Sequence, residues 1–240
     1  MRKLSAAVRA RRKKTGAAVN PTAGSPKKKK PAAPSKKGLA AKAAVAPKGP
    51  APAHPFQAVL RAASFAARKH QGQKRADAVT PYFSHVARVT LVLSHEFEVE
   101  DEDILTAALL HDTIEDTDTD YDEVAALFGE RVAGYVVLLT KNPMLPKKER
   151  EEDYVVRLSR APEAVMIAKM ADMYDNLSDR VHSPKLGKTA ATAGRLLEVF
   201  GQRLESSVGR AAHRKLSALL TEVQNLQLAD ALSGPAAASD

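Results

Sequence analysis

The sequence AALLHDTIED, at residues 107–116, places one imidazole and three carboxylates directly after four apolar residues. The apolar half predicts a buried helix face, because helices of a packed bundle turn their apolar residues toward the core. Ionised carboxylates are costly in such an interior unless they have a partner. A divalent cation is a partner that satisfies several acids at once. The stretch therefore predicts a helical fold with a metal site inside it.

Around this stretch, apolar residues recur at three- and four-residue spacing from about residue 55 onward. This spacing is typical of amphipathic helices packed against one another. The β-branched residues nowhere alternate with polar ones for long enough to predict a strand. We therefore predict an all-α fold, a bundle of about eight to ten helices. They include one continuous helix over 101–116 and a closing pair near 188–208 and 209–231.

Charge is distributed unevenly along the chain. The first fifty residues carry 15 of the 37 Lys and Arg residues and none of the 28 acidic ones. They are also rich in Pro and Ala, and have few large apolar side chains whose burial could offset the entropy cost of ordering. We predict a disordered basic tail over 1–53, a folded domain over 54–232 and a disordered C-terminal end over 233–240. The net charge of +9 reflects the tail, since the remainder is acidic overall.

The basic tail allows three interpretations. We favour a solvated segment in a cytoplasmic protein. The cations could instead bind nucleic acid or another polyanion through counterion release, or the Arg-rich start could target the chain to an organelle. No apolar run approaches the ~20 residues of a membrane-spanning helix, so we expect no membrane contact. The absence of cysteine excludes disulfides and a thiolate nucleophile. The sequence does not indicate an oligomeric state.

Two other stretches supply candidate ligands for a metal bound at HDTIED. His85 lies in PYFSHVARV and Asp172 lies in IAKMADMYDNL, and each interrupts an otherwise apolar helix face. Together with His111 and Asp112, they form a set of two imidazoles and two carboxylates. Such a set, without sulfur, suits Mn²⁺, Fe²⁺ or Zn²⁺.

Two further acids follow the paired ligands of the HD dipeptide. Glu115 and Asp116 stand about one helical turn beyond His111 and Asp112. From there they are placed to orient or deprotonate a water molecule near the metal. The pattern therefore predicts a metal site with an acidic pair beside a bound water.

Taken together, these motifs resemble those of HD-domain phosphohydrolases. Within that superfamily, the chain is similar to the RelA/SpoT-type alarmone hydrolases, and above all to the small metazoan-type enzymes. The matching segments are HQGQKR (70–75), TPYFSH (80–85), LLHDTIEDTD (109–118), FGERV (128–132), LPKKER (145–150) and KMADMYDNL (169–177). The resemblance implies an HD-domain helical bundle. It also implies a Mn²⁺-dependent enzyme that removes the 3′-pyrophosphate of the guanine alarmones ppGpp and pppGpp, giving GDP or GTP and pyrophosphate.

The resemblance also implies a role for individual residues. The ligands of a single Mn²⁺ ion are expected to be His85, His111, Asp112 and Asp172. The acidic pair that activates the attacking water is expected to be Glu115 and Asp116. The residues that bind the substrate are expected to be Arg75, Lys147, Asn176 and Arg195.

One segment departs from the pattern of the family. Many relatives have ADRLHN where this chain has ADMYDN, at residues 171–176. The missing Arg and His affect substrate contacts more than metal ligands. We expect Asp175 to face solvent, the alternative being a partner for a metal ligand.

The altered segment leaves other functions open. One is an HD phosphohydrolase for another nucleotide, such as an adenosine alarmone or the 2′-phosphate of NADPH. Another is a nucleic-acid-binding protein that acts through its basic tail, with the HD fold as an inactive scaffold.

Overall fold

The computed structural model describes residues 56–180 and 183–233, with side chains described as far as residue 229. The predicted basic tail and its expected contacts lie outside the described residues, as does nearly all of the predicted C-terminal end. No helix in the described ranges combines the length and the apolar composition needed to cross a bilayer.

The described residues form ten α-helices and no strand, which confirms the all-α prediction. The helices are α1 (Phe56–Lys69), α2 (Phe83–Leu91), α3 (Glu102–Leu110), α4 (Thr113–Asp116), α5 (Tyr121–Phe128), α6 (Glu130–Leu139), α7 (Lys147–Ser159), α8 (Glu163–Asp179), α9 (Leu186–Gly201) and α10 (Ser207–Ser233). A π-helical turn over Val92–Glu96 extends α2.

The centre of the bundle is α8, which packs against α2, α3, α6, α9 and α10. Its Met166, Met170 and Leu177 are fully buried. Burying one such side chain contributes about 1.5–3 kcal/mol. The same helix carries two buried acids, Asp172 and Asp175. Apolar packing of α8 therefore brings these carboxylates into the interior.

The predicted continuous helix over 101–116 is interrupted in the structure, because α3 ends at Leu110 and α4 begins at Thr113. Two side chains compete for carbonyl groups at this point. Thr113 Oγ1 donates to the Leu110 carbonyl at 2.7 Å, and His111 Nδ1 lies 2.7 Å from the Ala108 carbonyl. In a regular helix, these oxygens would accept from amides four residues further on. The break therefore sets the HD dipeptide at a junction between two helices.

The boundary of the closing helices also differs from the prediction, since α9 ends at Gly201 and α10 begins at Ser207. Glu163, at the start of α8, organises the connection. Its carboxylate accepts hydrogen bonds from the Ser206 amide at 3.1 and 3.2 Å and from the Ser206 hydroxyl at 2.8 Å. The position of the turn is therefore set by a contact between residues distant in sequence.

The N-terminal cap of α3 gives a first prediction. Asp101 Oδ1 accepts hydrogen bonds from the amides of Asp103 and Ile104, at 2.9 and 3.2 Å. Replacing Asp101 with Ala should lower the free energy of unfolding by about 1 kcal/mol, since these amides lose their partner. Denaturant unfolding measures the change. Asp103→Ala is a matched control, because both acids pair with Arg131 but only Asp101 caps the helix. Equal losses would show that the cap does not contribute.

Candidate active site

The four predicted metal ligands come together from three parts of the fold. His85 lies on α2, His111 and Asp112 lie at the α3–α4 junction, and Asp172 lies on α8. We call these four residues the quartet. The donor atoms of His85, His111 and Asp112 all lie within 4.8 Å of one another. Asp172 Oδ1 lies 3.1 Å from His85 Nε2 and 3.8 Å from His111 Nε2. Two nitrogens and two carboxylates therefore surround one region of space.

The outer nitrogens of both imidazoles are held by acceptors. His85 Nδ1 lies 2.6 Å from Asp175 Oδ2, and His111 Nδ1 lies 2.7 Å from the Ala108 carbonyl. A carbonyl can only accept, so His111 Nδ1 carries the hydrogen and Nε2 presents a lone pair in the neutral ring. His111 Nε2 is buried and lies 3.0 Å from Asp112 Oδ2. This arrangement is typical of metal-binding histidines, and the quartet fits a divalent cation.

The clustered charges shift the pKa values of the quartet. Burial by itself lowers the pKa of His111, but the carboxylates of Asp112 and Asp172 outweigh it and raise this pKa to about 9. Burial opposes ionisation of Asp112, yet His111 and His85 hold its pKa well below the usual range. Asp172 is likewise kept ionised against its burial, chiefly by Lys169. The site therefore keeps its carboxylates charged and attracts positive charge.

The predicted acidic pair lines the same cleft as the quartet. Glu115 Oε2 accepts a hydrogen bond from the Lys141 amide at 2.9 Å, which fixes the side chain. Partial withdrawal from water, together with the charge of Asp112, raises the pKa of both Glu115 and Asp116. A carboxylate with a raised pKa is a stronger acceptor for a proton from water.

The two carboxylates of the quartet have further partners. The Tyr82 hydroxyl donates to Asp112 Oδ2 at 2.5 Å, a contact that sequence reasoning missed. Its position in TPYFSH, three residues before His85, was an available signal, because residues three apart share a helix face. Lys169 Nζ donates to Asp172 Oδ2 at 2.5 Å, and the Asn176 amide donates to Asp172 Oδ1 at 2.6 Å. Every one of these donors limits how the carboxylates can rotate.

A cleft of about 660 Å³ opens over the quartet. Its walls include three of the four predicted substrate-binding residues, namely Arg75, Lys147 and Asn176. Arg195 is exposed on α9 and is not among the residues that line the cleft, so its phosphate contact stays a prediction. Among the other cations that line the cleft are Arg180, Lys185 and Lys188, which the sequence reasoning missed. The signal for them was the run SDR…SPKLGK between α8 and α9.

Arg75 is predicted to lie beside a nucleotide, and the structure shows that it also has protein partners. Its Nη2 lies 2.6 Å from Asp179 Oδ2 and 3.5 Å from Asn176 Oδ1. Only 8% of its side chain is exposed. Arg75 therefore presents a fixed edge to the cleft.

The expectation that Asp175 faces solvent is wrong. The residue is buried, with 3% of its surface exposed. It contacts His85, and Arg88 Nε donates to its Oδ1 at 2.6 Å. Because α8 is enclosed by neighbouring helices on most sides, a residue one turn from Asp172 also points inward. The imidazole and the guanidinium offset the cost of burying its charge.

Comparisons with known proteins agree with this geometry. The family described as HD domain matches residues 62–164. The guanosine-3′,5′-bis(diphosphate) 3′-pyrophosphohydrolase MESH1 of Danio rerio is 42% identical over 122 residues, which cover 50% of this chain and 68% of the relative. The Homo sapiens protein of the same name is 44% identical with the same coverage.

A solved structure supports the same assignment. It is described as a metazoan orthologue of SpoT that hydrolyses ppGpp, and it matches with a TM-score of 0.61 and 28% identity over 72% of this chain and 97% of its own. The alignments with the two sequence relatives cover 68% of each relative. The structural match covers 97% of the solved chain. The chain therefore belongs to the HD-domain family of MESH1-type guanosine-3′,5′-bis(diphosphate) 3′-pyrophosphohydrolases.

Proposed function

We propose that this chain carries out the Mn²⁺-dependent hydrolysis of the 3′-pyrophosphate of ppGpp and pppGpp, giving GDP or GTP and pyrophosphate. The observation that carries the proposal is the convergence of the quartet at a cleft that also holds an acidic pair and several cations. The names of the sequence relatives support the choice of a guanine alarmone.

The quartet is the proposed site of the metal. Nitrogen and carboxylate donors without sulfur suit Mn²⁺, with Fe²⁺ or Zn²⁺ as chemically acceptable substitutes. When bound, the divalent cation supplies Lewis-acid polarisation of a phosphoryl oxygen. His85 and His111 contribute by keeping their Nε2 atoms directed at the carboxylates of the quartet.

Glu115 and Asp116 are proposed to handle the proton of the attacking water. Water adds to the phosphorus atom that carries the ribose 3′-oxygen, and the bond between phosphorus and that oxygen breaks. The acidic pair takes the proton released by the water, while the 3′-oxygen leaves with the bonding electrons and gains a proton. Pyrophosphate departs as one unit. The hydrogen bond from the Lys141 amide keeps Glu115 at a constant position for this transfer.

The cations of the cleft are proposed to bind the phosphates of the substrate. Lys147, Lys185 and Lys188 line the cleft and form no ion pair with any described residue. They can therefore face an anion without first breaking a salt bridge. Since the chain beyond the first fifty residues is acidic overall, the attraction of a nucleotide depends on these local charges and on the metal.

A nucleotide assay tests the proposal. Purified protein supplied with Mn²⁺ should convert ppGpp into GDP and pyrophosphate, and a chelator should stop the reaction because the quartet alone offers no Lewis acid. His111→Ala serves as the inactive comparison. A protein that retains Mn²⁺ but leaves ppGpp intact would contradict the proposal.

A substrate panel separates the alternatives that ADMYDN leaves open. Met173 of this segment lines the cleft. We expect the kcat/KM for an adenosine alarmone and for NADPH to be lower than the kcat/KM for ppGpp. The ratio of these values measures the specificity of the enzyme. A higher value for either would reassign the substrate. If the tail were the functional part, deletion of residues 1–50 would abolish function and His111→Ala would have no effect.

A further inference from the structure

We infer that Asp175 is a positioning residue for the metal site, one that orients the imidazole of His85 toward the ion. The inference rests on the proposed role of the quartet. Asp175 Oδ2 lies 2.6 Å from His85 Nδ1, and the two residues are 3% and 2% exposed. An ionised carboxylate can only accept a hydrogen bond, so Nδ1 carries the hydrogen. The opposite nitrogen, Nε2, then faces Asp172 at 3.1 Å and Asp112 at 3.7 Å.

Asp175 is itself held in place from a second direction. Arg88 donates to both of its oxygens, from Nε at 2.6 Å and from Nη2 at 3.2 Å. A two-point contact of this kind fixes the plane of a carboxylate as well as its position. The order of contacts therefore runs from Arg88 on α2, through Asp175 on α8, back to His85 on α2. Because Arg88 and His85 lie three residues apart on one helix, a single carboxylate can bridge them.

The neighbouring acid, Asp179, takes part in the same group of charges without reaching the imidazole. Arg88 Nη2 donates to its Oδ1 at 2.8 Å, and Arg75 Nη2 donates to its Oδ2 at 2.6 Å. Asp179 makes no contact with His85 in the described part of the chain. The negative charges of the two carboxylates are thus offset by the positive charges of the two guanidinium groups. Of the two acids, only Asp175 contacts a proposed metal ligand.

Carboxylates that accept a hydrogen bond from a metal-bound histidine fix the ring orientation and raise the basicity of the ligand. Removing such a partner typically weakens metal binding by roughly 10- to 100-fold. An ion pair that served only to join α2 to α8 would behave differently. Its loss would lower the stability of the fold and leave the intrinsic affinity for the metal unchanged.

Metal titration of two matched variants tests the inference. Metal-free wild-type protein, Asp175→Asn and Asp179→Asn are each titrated with Mn²⁺ alone, and free Mn²⁺ is followed by electron paramagnetic resonance. Asp175→Asn should bind Mn²⁺ about 10- to 100-fold more weakly, whereas Asp179→Asn should keep an affinity close to wild type. Wild-type affinity in Asp175→Asn, or an equal loss in both variants, would overturn the inference.

A third variant covers the case in which Asp175→Asn does not fold, as judged by circular dichroism. Asp175→Glu keeps the charge but moves the carboxylate by one methylene group, so a positioning role predicts weaker Mn²⁺ binding. Wild-type affinity in Asp175→Glu would overturn the inference. Because the titration contains no nucleotide, normal Mn²⁺ binding with uncleaved ppGpp would contradict only the proposed function. Absence of Mn²⁺ binding by the wild-type chain would overturn both.

Discussion

Replacing Asp172 with Ala should abolish metal binding and hydrolysis together. Asp172 supplies the carboxylate nearest to the Nε2 atom of His85, with Oδ1 at 3.1 Å. Its loss leaves three donors, which should weaken Mn²⁺ binding by more than the ~10- to 100-fold expected when only an outer partner is lost. Titration with Mn²⁺ and release of pyrophosphate from ppGpp measure the two effects on one preparation.

A second variant at this position separates loss of the ligand from loss of the fold. Asp172→Ala also leaves Lys169, whose Nζ lies 2.5 Å from Asp172 Oδ2, without its acidic partner. Removing one member of a buried ion pair can cost about 3–5 kcal/mol of stability. Asp172→Asn keeps the shape and an acceptor oxygen, so it should fold while still losing Mn²⁺. Full Mn²⁺ binding by Asp172→Asn would remove this residue from the quartet.

Replacing Glu115 with Gln should slow the chemical step while leaving the metal bound. The Gln side chain can still accept the hydrogen bond of the Lys141 amide through its carbonyl oxygen, but it cannot take a proton from water. Loss of acid–base assistance typically lowers kcat by about 10²- to 10⁴-fold, or about 3–5 kcal/mol of barrier. Single-turnover hydrolysis at saturating Mn²⁺ measures the chemical step directly.

Two companion variants assign the proton transfer within the acidic pair. Asp116→Asn should show the larger loss if Asp116 takes the proton and Glu115 orients the water, and the smaller loss if the roles are reversed. Glu123→Gln is the control, because Glu123 also accepts a hydrogen bond from a lysine, Lys69, but lies on α5 away from the cleft. A fully active Glu115→Gln would end the role proposed for this residue.

The helical fold and the candidates for the quartet could be predicted from sequence for a definite reason. The three- to four-residue spacing of apolar side chains predicts which face of each helix is buried, and polar residues that interrupt such a face stand out. His85 and Asp172 were recognised in this way, and the structure brings both to the HD dipeptide. Resemblance to a known family added an expectation for the ion and the substrate, which the pattern alone leaves open.

Several features depended on contacts between residues far apart in the chain, and local patterns could not predict them. The turn before α10 is set by Glu163 at the start of α8, whose carboxylate accepts hydrogen bonds from the amide and the hydroxyl of Ser206. Arg180 follows the end of α8 and Lys188 lies on α9, yet both line the same cleft. A sequence pattern reports the face of one helix, not the neighbours that a second helix brings to it.

Asp175 illustrates the difference between what the sequence pattern predicts and what the tertiary structure decides. By sequence alone, the amphipathic pattern of this chain determined an all-α bundle with acids and imidazoles on inward faces. Whether a given acid meets water or a partner was decided by packing, which set Asp175 against His85 and Arg88 of α2. The physical reason is that burial of a carboxylate is tolerated only when hydrogen bonds and opposite charge replace its water, and those partners come from other helices.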